Sequence, residues 1–237
     1  MTDSTIVAMG GGGFGDHGLE TPLDEHILSI ARAVRGQSRP RVCYLPTAGG
    51  DSERNIARFY SAFARRSEAS HLTLFDRTVL DLEGSLLGND AIYVGGGNTA
   101  NMLAIWRVHG LDRILRRAWN EGIVLAGRSA GSICWFEGGT TDSFGGLDAL
   151  RDGLGFLPGS HSPHYDGEPE RRPTYQRLIG SGSLPPGYAA DDGAALVFRG
   201  TQLAEVVAER AGARAYRVER APDGTAIETA IEARLLG

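Results

Sequence analysis

The chain has 237 residues, 41% hydrophobic and 22% charged, which supplies a sizeable buried core and argues against disorder. Its formal net charge of −5 gives no electrostatic reason to expect nucleic acid or an anionic membrane as partner. Two cysteines in apolar stretches, Cys43 and Cys134, argue against a disulfide scaffold.

Short apolar runs alternate with amphipathic stretches in the first half, the pattern of a parallel sheet wrapped by helices. Residues 5–9 read as a first strand ending in the cluster Gly10-Gly-Gly-Gly13. Thr21 as N-cap and Pro22 at the first helical position open a helix to about residue 34. A strand over 41–46, a helix over 52–66, a strand over 71–75 and a strand over 91–94 follow. Helices over 99–108 and 111–120 come next, separated by Gly110. Residues 123–126 form the most apolar strand, as expected of a buried central one.

Residues 137–159, rich in glycine and turn formers, read as an irregular loop, and 170–179 as a helix. Short strands are expected over 188–190, 195–198, 204–208, 215–219 and 226–231, extending or flanking the sheet. No repeat, low-complexity tract or linker interrupts the chain, so a single α/β domain is expected. No apolar run reaches the roughly 18 to 20 residues of a membrane span, and the N-terminus lacks a basic, apolar leader. These features point to a cytoplasmic location.

The strongest chemical signal is Ile123-Val-Leu-Ala-Gly-Arg-Ser-Ala-Gly-Ser132. A strand ending in G-x-S-x-G and passing straight into a helix is a nucleophile elbow. Small neighbours allow the sharp turn that lifts Ser129 out of the sheet, and backbone N–H groups at the helix start, led by Ala130, suit a developing oxyanion. Serine needs a base. His161 and His164 follow the elbow, and His164 is preferred because Pro163 fixes the chain before it and Tyr165 packs behind it. His26, His71 and His109 have ordinary helix or strand placements, while His17 lies in a glycine-rich loop. Asp191 and Asp192, before Gly193, offer two adjacent carboxylates to orient the base, of which one should face it. Gly95, Gly96, Gly97 and Asn98 end another strand at the same sheet edge, where α/β sheets bind ligands; their backbone suits the rest of an oxyanion hole.

Three motifs together resemble peptidase E, the α-aspartyl dipeptidase: Val-Gly-Gly-Gly-Asn-Thr at 94–99, Gly-Arg-Ser-Ala-Gly at 127–131 and Pro-His-Tyr at 163–165. The resemblance runs from about residue 4 to residue 200. It implies a class I glutamine-amidotransferase-like α/β fold, a three-layer sandwich with a mostly parallel central sheet, here carrying additional C-terminal strands. It implies a triad of Ser129, His164 and Asp192, an oxyanion hole at Gly96, Gly97 and Ala130 with Asn98 near the substrate, and short peptides as substrate. The family has Glu where this chain has Asp192. Thr174 stands where aspartyl-selective members carry an arginine, which leaves Arg128, Arg171 and Arg172 to meet a substrate carboxylate. No cofactor and no metal are expected, and the chain leaves a homodimer open.

Two other readings fit less well. An α/β-hydrolase places its histidine last, after the acid, whereas here 73 residues follow His164. A nucleotide-binding module draws on G-x-G-x-x-G matches at 10–15 and 13–18. However, Pro22 starts the helix too late, and the second strand ends without an acid for a ribose. A non-catalytic amidotransferase-like binding protein would not need the Ser–His–Asp order.

Overall fold

Helix boundaries follow the caps that the residues supply. In the computed structural model, which describes residues 4–14 and 20–237, β1 (Thr5–Met9) precedes α1 (Pro22–Arg35). The Thr21 hydroxyl accepts the Asp24 N–H at 3.3 Å, and Gly36 closes the helix in the left-handed region. Next come β2 (Arg41–Leu45), α2 (Glu53–Phe63), β3 (Glu68–His71), α3 (Leu82–Leu87) and β4 (Ala91–Val94). Then follow α4 (Thr99–His109), α5 (Leu111–Asn120), β5 (Val124–Arg128) and α6 (Ala130–Ile133).

The second half holds β6 (Phe136–Thr141), β7 (Asp148–Leu150), β8 (Leu157–Ser162) and α7 (Arg171–Gly180). After these run β9 (Gly187–Ala190), β10 (Ala194–Arg199), β11 (Gln202–Ala208), β12 (Ala215–Arg220), β13 (Ala226–Ile231) and β14 (Arg234–Leu235).

Eight strands form the main sheet in the order β14-β11-β10-β1-β5-β4-β2-β3. From β1 to β3 all neighbours run parallel, and β10 joins β1 antiparallel. Alternate residues of β1 face opposite layers. Ile6 and Ala8 pack with Trp106, Leu115 and Trp135 beneath α4 and α5. Val7 and Met9 pack with Leu28, Phe59 and Phe63 of α1 and α2. Helix, sheet and helix make the expected three-layer α/β sandwich. The register pairs Met9 with Arg128 and Val94 with Gly127, so β1, β4 and β5 end together at one edge.

Two expectations are corrected. The stretch 137–159 is not one irregular loop: it carries β6, β7 and the start of β8, which join β9, β12 and β13 in a second sheet, ordered β13-β12-β9-β8-β6-β7. Its glycines mark close approach, for a Cβ on Gly139 would run into the His161 carbonyl of β8 and lie 2.9 Å from Ile133. The third strand lies at Glu68–His71, not 71–75. Leu72 and Leu74 bury beyond its end, where the Asp51 carboxylate accepts the N–H groups of Leu74 (2.6 Å) and Phe75 (2.9 Å). The expected strands after residue 186 all form but divide, with β10 and β11 extending the main sheet and β9, β12 and β13 entering the second. Among the described residues, no helix is long and apolar enough to cross a membrane.

Candidate active site

β5 delivers Ser129 on a strained turn. Its φ of 54° and ψ of −118° are rarely adopted by a residue with a side chain, and such strain collects at functional sites. The turn is possible because Gly127 lies against the Gly131 carbonyl, where a Cβ would collide. The Ser129 N–H donates to the Met9 carbonyl at 3.4 Å, and the Ser129 carbonyl accepts the N–H of Ser132 (2.9 Å) and Ile133 (3.0 Å). The helix that follows is a single turn, shorter than the elbow pattern leads one to expect. Any stabilisation of an oxyanion there therefore falls to individual N–H groups rather than to a long helix dipole.

The end of β4 forms the facing wall. A Cβ on Gly96 would lie 3.3 Å from Ser129 Cβ, so the glycine backs directly onto the serine. Among the described residues, the N–H groups of Gly97 and Ala130 donate to no acceptor. Buried N–H groups are rarely left so, and Ala130 is buried. Asn98 is otherwise committed. Its Oδ1 accepts the Asn101 N–H at 2.9 Å as cap of α4, and its Nδ2 donates to the Ser143 carbonyl at 3.2 Å.

His164 also sits at positive φ, 52°, directly after buried Pro163. Its N–H donates to the Gly10 carbonyl at 3.3 Å. Its Nδ1 meets Asp192 Oδ1 at 2.6 Å, with the two side chains 19% and 31% exposed. A carboxylate only accepts, so the ring proton lies on Nδ1 and Nε2 is left to take another. His161, by contrast, is fully buried, stacked on Phe136 at 5.0 Å, with Nδ1 donating to the Tyr188 carbonyl. Burial pushes its pKa down to about 3, which makes it a neutral core residue.

Asp191 and Asp192 separate as consecutive residues should. Asp191 turns inward, 4% exposed, where its Oδ2 accepts the Arg214 N–H at 3.1 Å. Burial, and then the charge of Asp166, push its pKa up to about 6. Of the two, Asp192 is the one that meets His164.

The end of β1 acts as a ruler for all three residues. Successive carbonyls of Met9, Gly10 and Gly11 accept from Ser129, His164 and Gly193, and Gly11 bridges Asp192. At Gly11 a Cβ would run into Asp192 Oδ1 and lie 2.9 Å from His164 Nδ1. The glycine cluster after the first strand therefore makes room for the His–Asp pair.

A model of peptidase family S51 matches residues 6–206. The chain belongs to peptidase family S51. It is 53% identical over 214 residues to YgaJ, an uncharacterized peptidase of Bacillus subtilis (strain 168), covering 90% of this chain and 91% of that one. Among solved structures it resembles a peptidase from an acI-B1 Actinobacterium, with a TM-score of 0.70 at 19% identity, covering 98% of this chain and 95% of that one. It also resembles a candidate peptidase E protein from Listeria monocytogenes EGD-e, with a TM-score of 0.61 at 19% identity, covering 88% of this chain and 98% of that one.

In this member of peptidase family S51 the three arginines expected at the substrate are placed differently. The Arg171 side chain is 4% exposed and donates to Glu168 at 2.6 Å and to the Thr140 carbonyl at 2.9 Å. Arg172 is hydrogen-bonded to Glu228 and lies over the rings of Tyr165 and Tyr216. Arg128 is half-buried beside Ser129, with its guanidinium 5.8 Å from the Phe14 ring centroid. The stretch 137–159, expected as an irregular loop, contributes β6, β7 and the start of β8 to the second sheet. Gly11 was legible only as part of a nucleotide-type glycine motif, and both matches to that motif run into residues 15–19. Those residues, His17 among them, lie outside the described residues.

Proposed function

We propose that this peptidase is a serine exopeptidase of the peptidase E type that cleaves short peptides, with Ser129 as nucleophile, His164 as general base and Asp192 as its orienting acid. The observation that carries this reading is the 2.6 Å His164–Asp192 contact, held by the same strand end that anchors a strained Ser129. In this mechanism Ser129 Oγ attacks the scissile carbonyl while its proton passes to His164 Nε2, and Asp192 stabilises the imidazolium. The N–H groups of Gly97 and Ala130 receive the oxyanion, with Gly96 backing the serine. His164 then protonates the leaving amine, and water releases the acyl group by the same route in reverse.

Dipeptides and tripeptides with a free N-terminus are the substrates this reading favours. Any preference for an acidic residue is assigned to Arg128 because it directly precedes Ser129 in the chain, while Arg171 and Arg172 pair with Glu168 and Glu228. The unpaired buried thiols of Cys43 and Cys134 suit a reducing compartment, and the cytoplasm is the proposed location.

A fluorophosphonate probe with peptide mapping, followed by a dipeptide library, tests the proposal. Labelling at Ser129 is expected, together with a loss of hydrolysis on the order of 10⁴-fold or more in Ser129→Ala. Casein should remain intact. Substantial hydrolysis by Ser129→Ala would remove the nucleophile assignment, cleavage of simple esters alone would make the chain an esterase, and an unlabelled, inactive protein would make it a binding protein.

A further inference from the structure

The segment that follows the base closes around the acid. Two residues after His164, Asp166 Oδ1 accepts the backbone N–H of Asp192 at 2.8 Å. One residue further, a Cβ on Gly167 would run into Asp192 Oδ2, so the chain passes directly over the second carboxylate oxygen. Arg210, in the turn after β11, joins the two partners. Its Nη2 donates to Asp166 Oδ2 and, at 3.0 Å, to the Asp192 carbonyl, while Nε reaches that same carbonyl at 3.3 Å. Asp192 is thereby held at its side chain by His164 and at its backbone N–H and C=O by Asp166 and Arg210.

We propose that Asp166, braced by Arg210, is a positioning residue that ties the base loop to the triad acid. The proposal rests on the Ser–His–Asp reading above. An aspartate side chain is short, with a single methylene between its backbone and its carboxylate. Its reach to His164 Nδ1 must therefore come from where the backbone is placed, and Asp166 sets that place. The planar guanidinium of Arg210, with several donors in one fork, suits this bracing better than an ammonium would. Asp166 and Arg210 are 37% and 46% exposed at their side chains. An ion pair so exposed adds little to stability, yet a misplacement of about 1 Å at a catalytic group costs about 100-fold in rate. The strut thus predicts a large effect on reactivity with a small one on folding.

The test uses the full chain and a fluorophosphonate probe, with inactivation resolved into its binding constant and its limiting rate. Asp166→Ala should lower the limiting rate about 100-fold with probe binding unchanged. Asp166→Asn keeps an acceptor for the Asp192 N–H and should recover most of the rate, and Arg210→Lys should outperform Arg210→Met. The downfield proton NMR resonance of the His164–Asp192 hydrogen bond, assigned by its loss in His164→Ala, should vanish in Asp166→Ala and return in Asp166→Asn. Parental labelling rates and an unchanged resonance in both Asp166→Ala and Arg210→Met would overturn the proposal, as would equal losses in Asp166→Ala and Asp166→Asn. If Asp166→Ala does not fold, the exposed Arg210→Met gives the same readouts. A parent chain that takes no label would sink the nucleophile assignment, while the NMR resonance would still decide the strut.

Discussion

Asp191 and Asp192 are chemically identical and adjacent, yet they face different surroundings. Asp192 meets His164, whereas Asp191 is turned inward onto the backbone of Arg214. Asp192→Asn should therefore lower turnover on the order of 10⁴-fold, because an amide favours the wrong imidazole tautomer. Asp191→Asn should leave turnover within a few-fold and keep the fold, since an amide oxygen can still accept the Arg214 N–H. Steady-state kinetics on one peptide for both variants checks this, and a larger loss in Asp191→Asn would reverse the assignment. Pro163 singled out His164 over His161 in the sequence, and the fold buries His161 in the core while His164 meets Asp192. The fate of Arg172 on α7 was not legible. Glu228, which holds it, lies 56 residues away on β13.

At the scale of elements, the first half read well because its helices carry caps and its central strands are continuous apolar runs. The expected helix over 99–108 forms as Thr99–His109, begun by Asn98 and ended by Gly110 at φ 74°. Asn98 serves two ends at once, capping α4 and tethering residue 143. Asn98→Ala should cost about 1 kcal/mol of stability through the lost cap. Asn98→Asp keeps the cap acceptor and loses only the tether, so its denaturation midpoint should lie between those of the parent and Asn98→Ala. Urea titrations distinguish the two, and equal losses would mean that the tether dominates. The second sheet read poorly. Gly138 and Gly139 in β6 remove the apolar alternation that marks a strand, and their reason for being glycine lies in neighbouring chain segments. β3 was misplaced because it is an edge strand with mostly exposed side chains, so the apolar residues that drew attention lie just beyond it.

At the scale of the whole molecule, burial sets opposed proton balances. Burial pushes the Asp24 carboxyl up to about 7, with the Thr21 hydrogen bond opposing that shift and Glu209 adding to it. A raised carboxyl binds its proton more tightly in the folded chain. Its contribution to stability therefore falls as pH rises from about 4 to about 7 and stays low above that. His161 acts in the opposite sense, since its depressed pKa means that stability is lost as pH falls from the ordinary histidine range towards 3. At about 1.4 kcal/mol per unit of pKa, the Asp24 shift amounts to at most ~4 kcal/mol. Asp24→Asn should accordingly gain on the parent as pH rises from 4.5 to 8, measured by urea unfolding at the two values. A gain that does not change with pH would show that Asp24 is not the titrating group.

By itself the sequence determined the strand–helix alternation, the sharp turn at Ser129 and the local setting of His164 after Pro163, because each depends on neighbours within a few residues. A cap, a sharp turn of small residues and a proline before a histidine are local chemistry. The tertiary structure alone decided which aspartate meets His164, that Arg172 already has a carboxylate partner, and that Gly11 must lack a side chain. Those outcomes depend on segments far apart in the chain arriving at the end of one strand. There the carbonyls of Met9, Gly10 and Gly11 space the serine, the histidine and the aspartate turn, and packing distances rather than local propensity choose which side chains can meet.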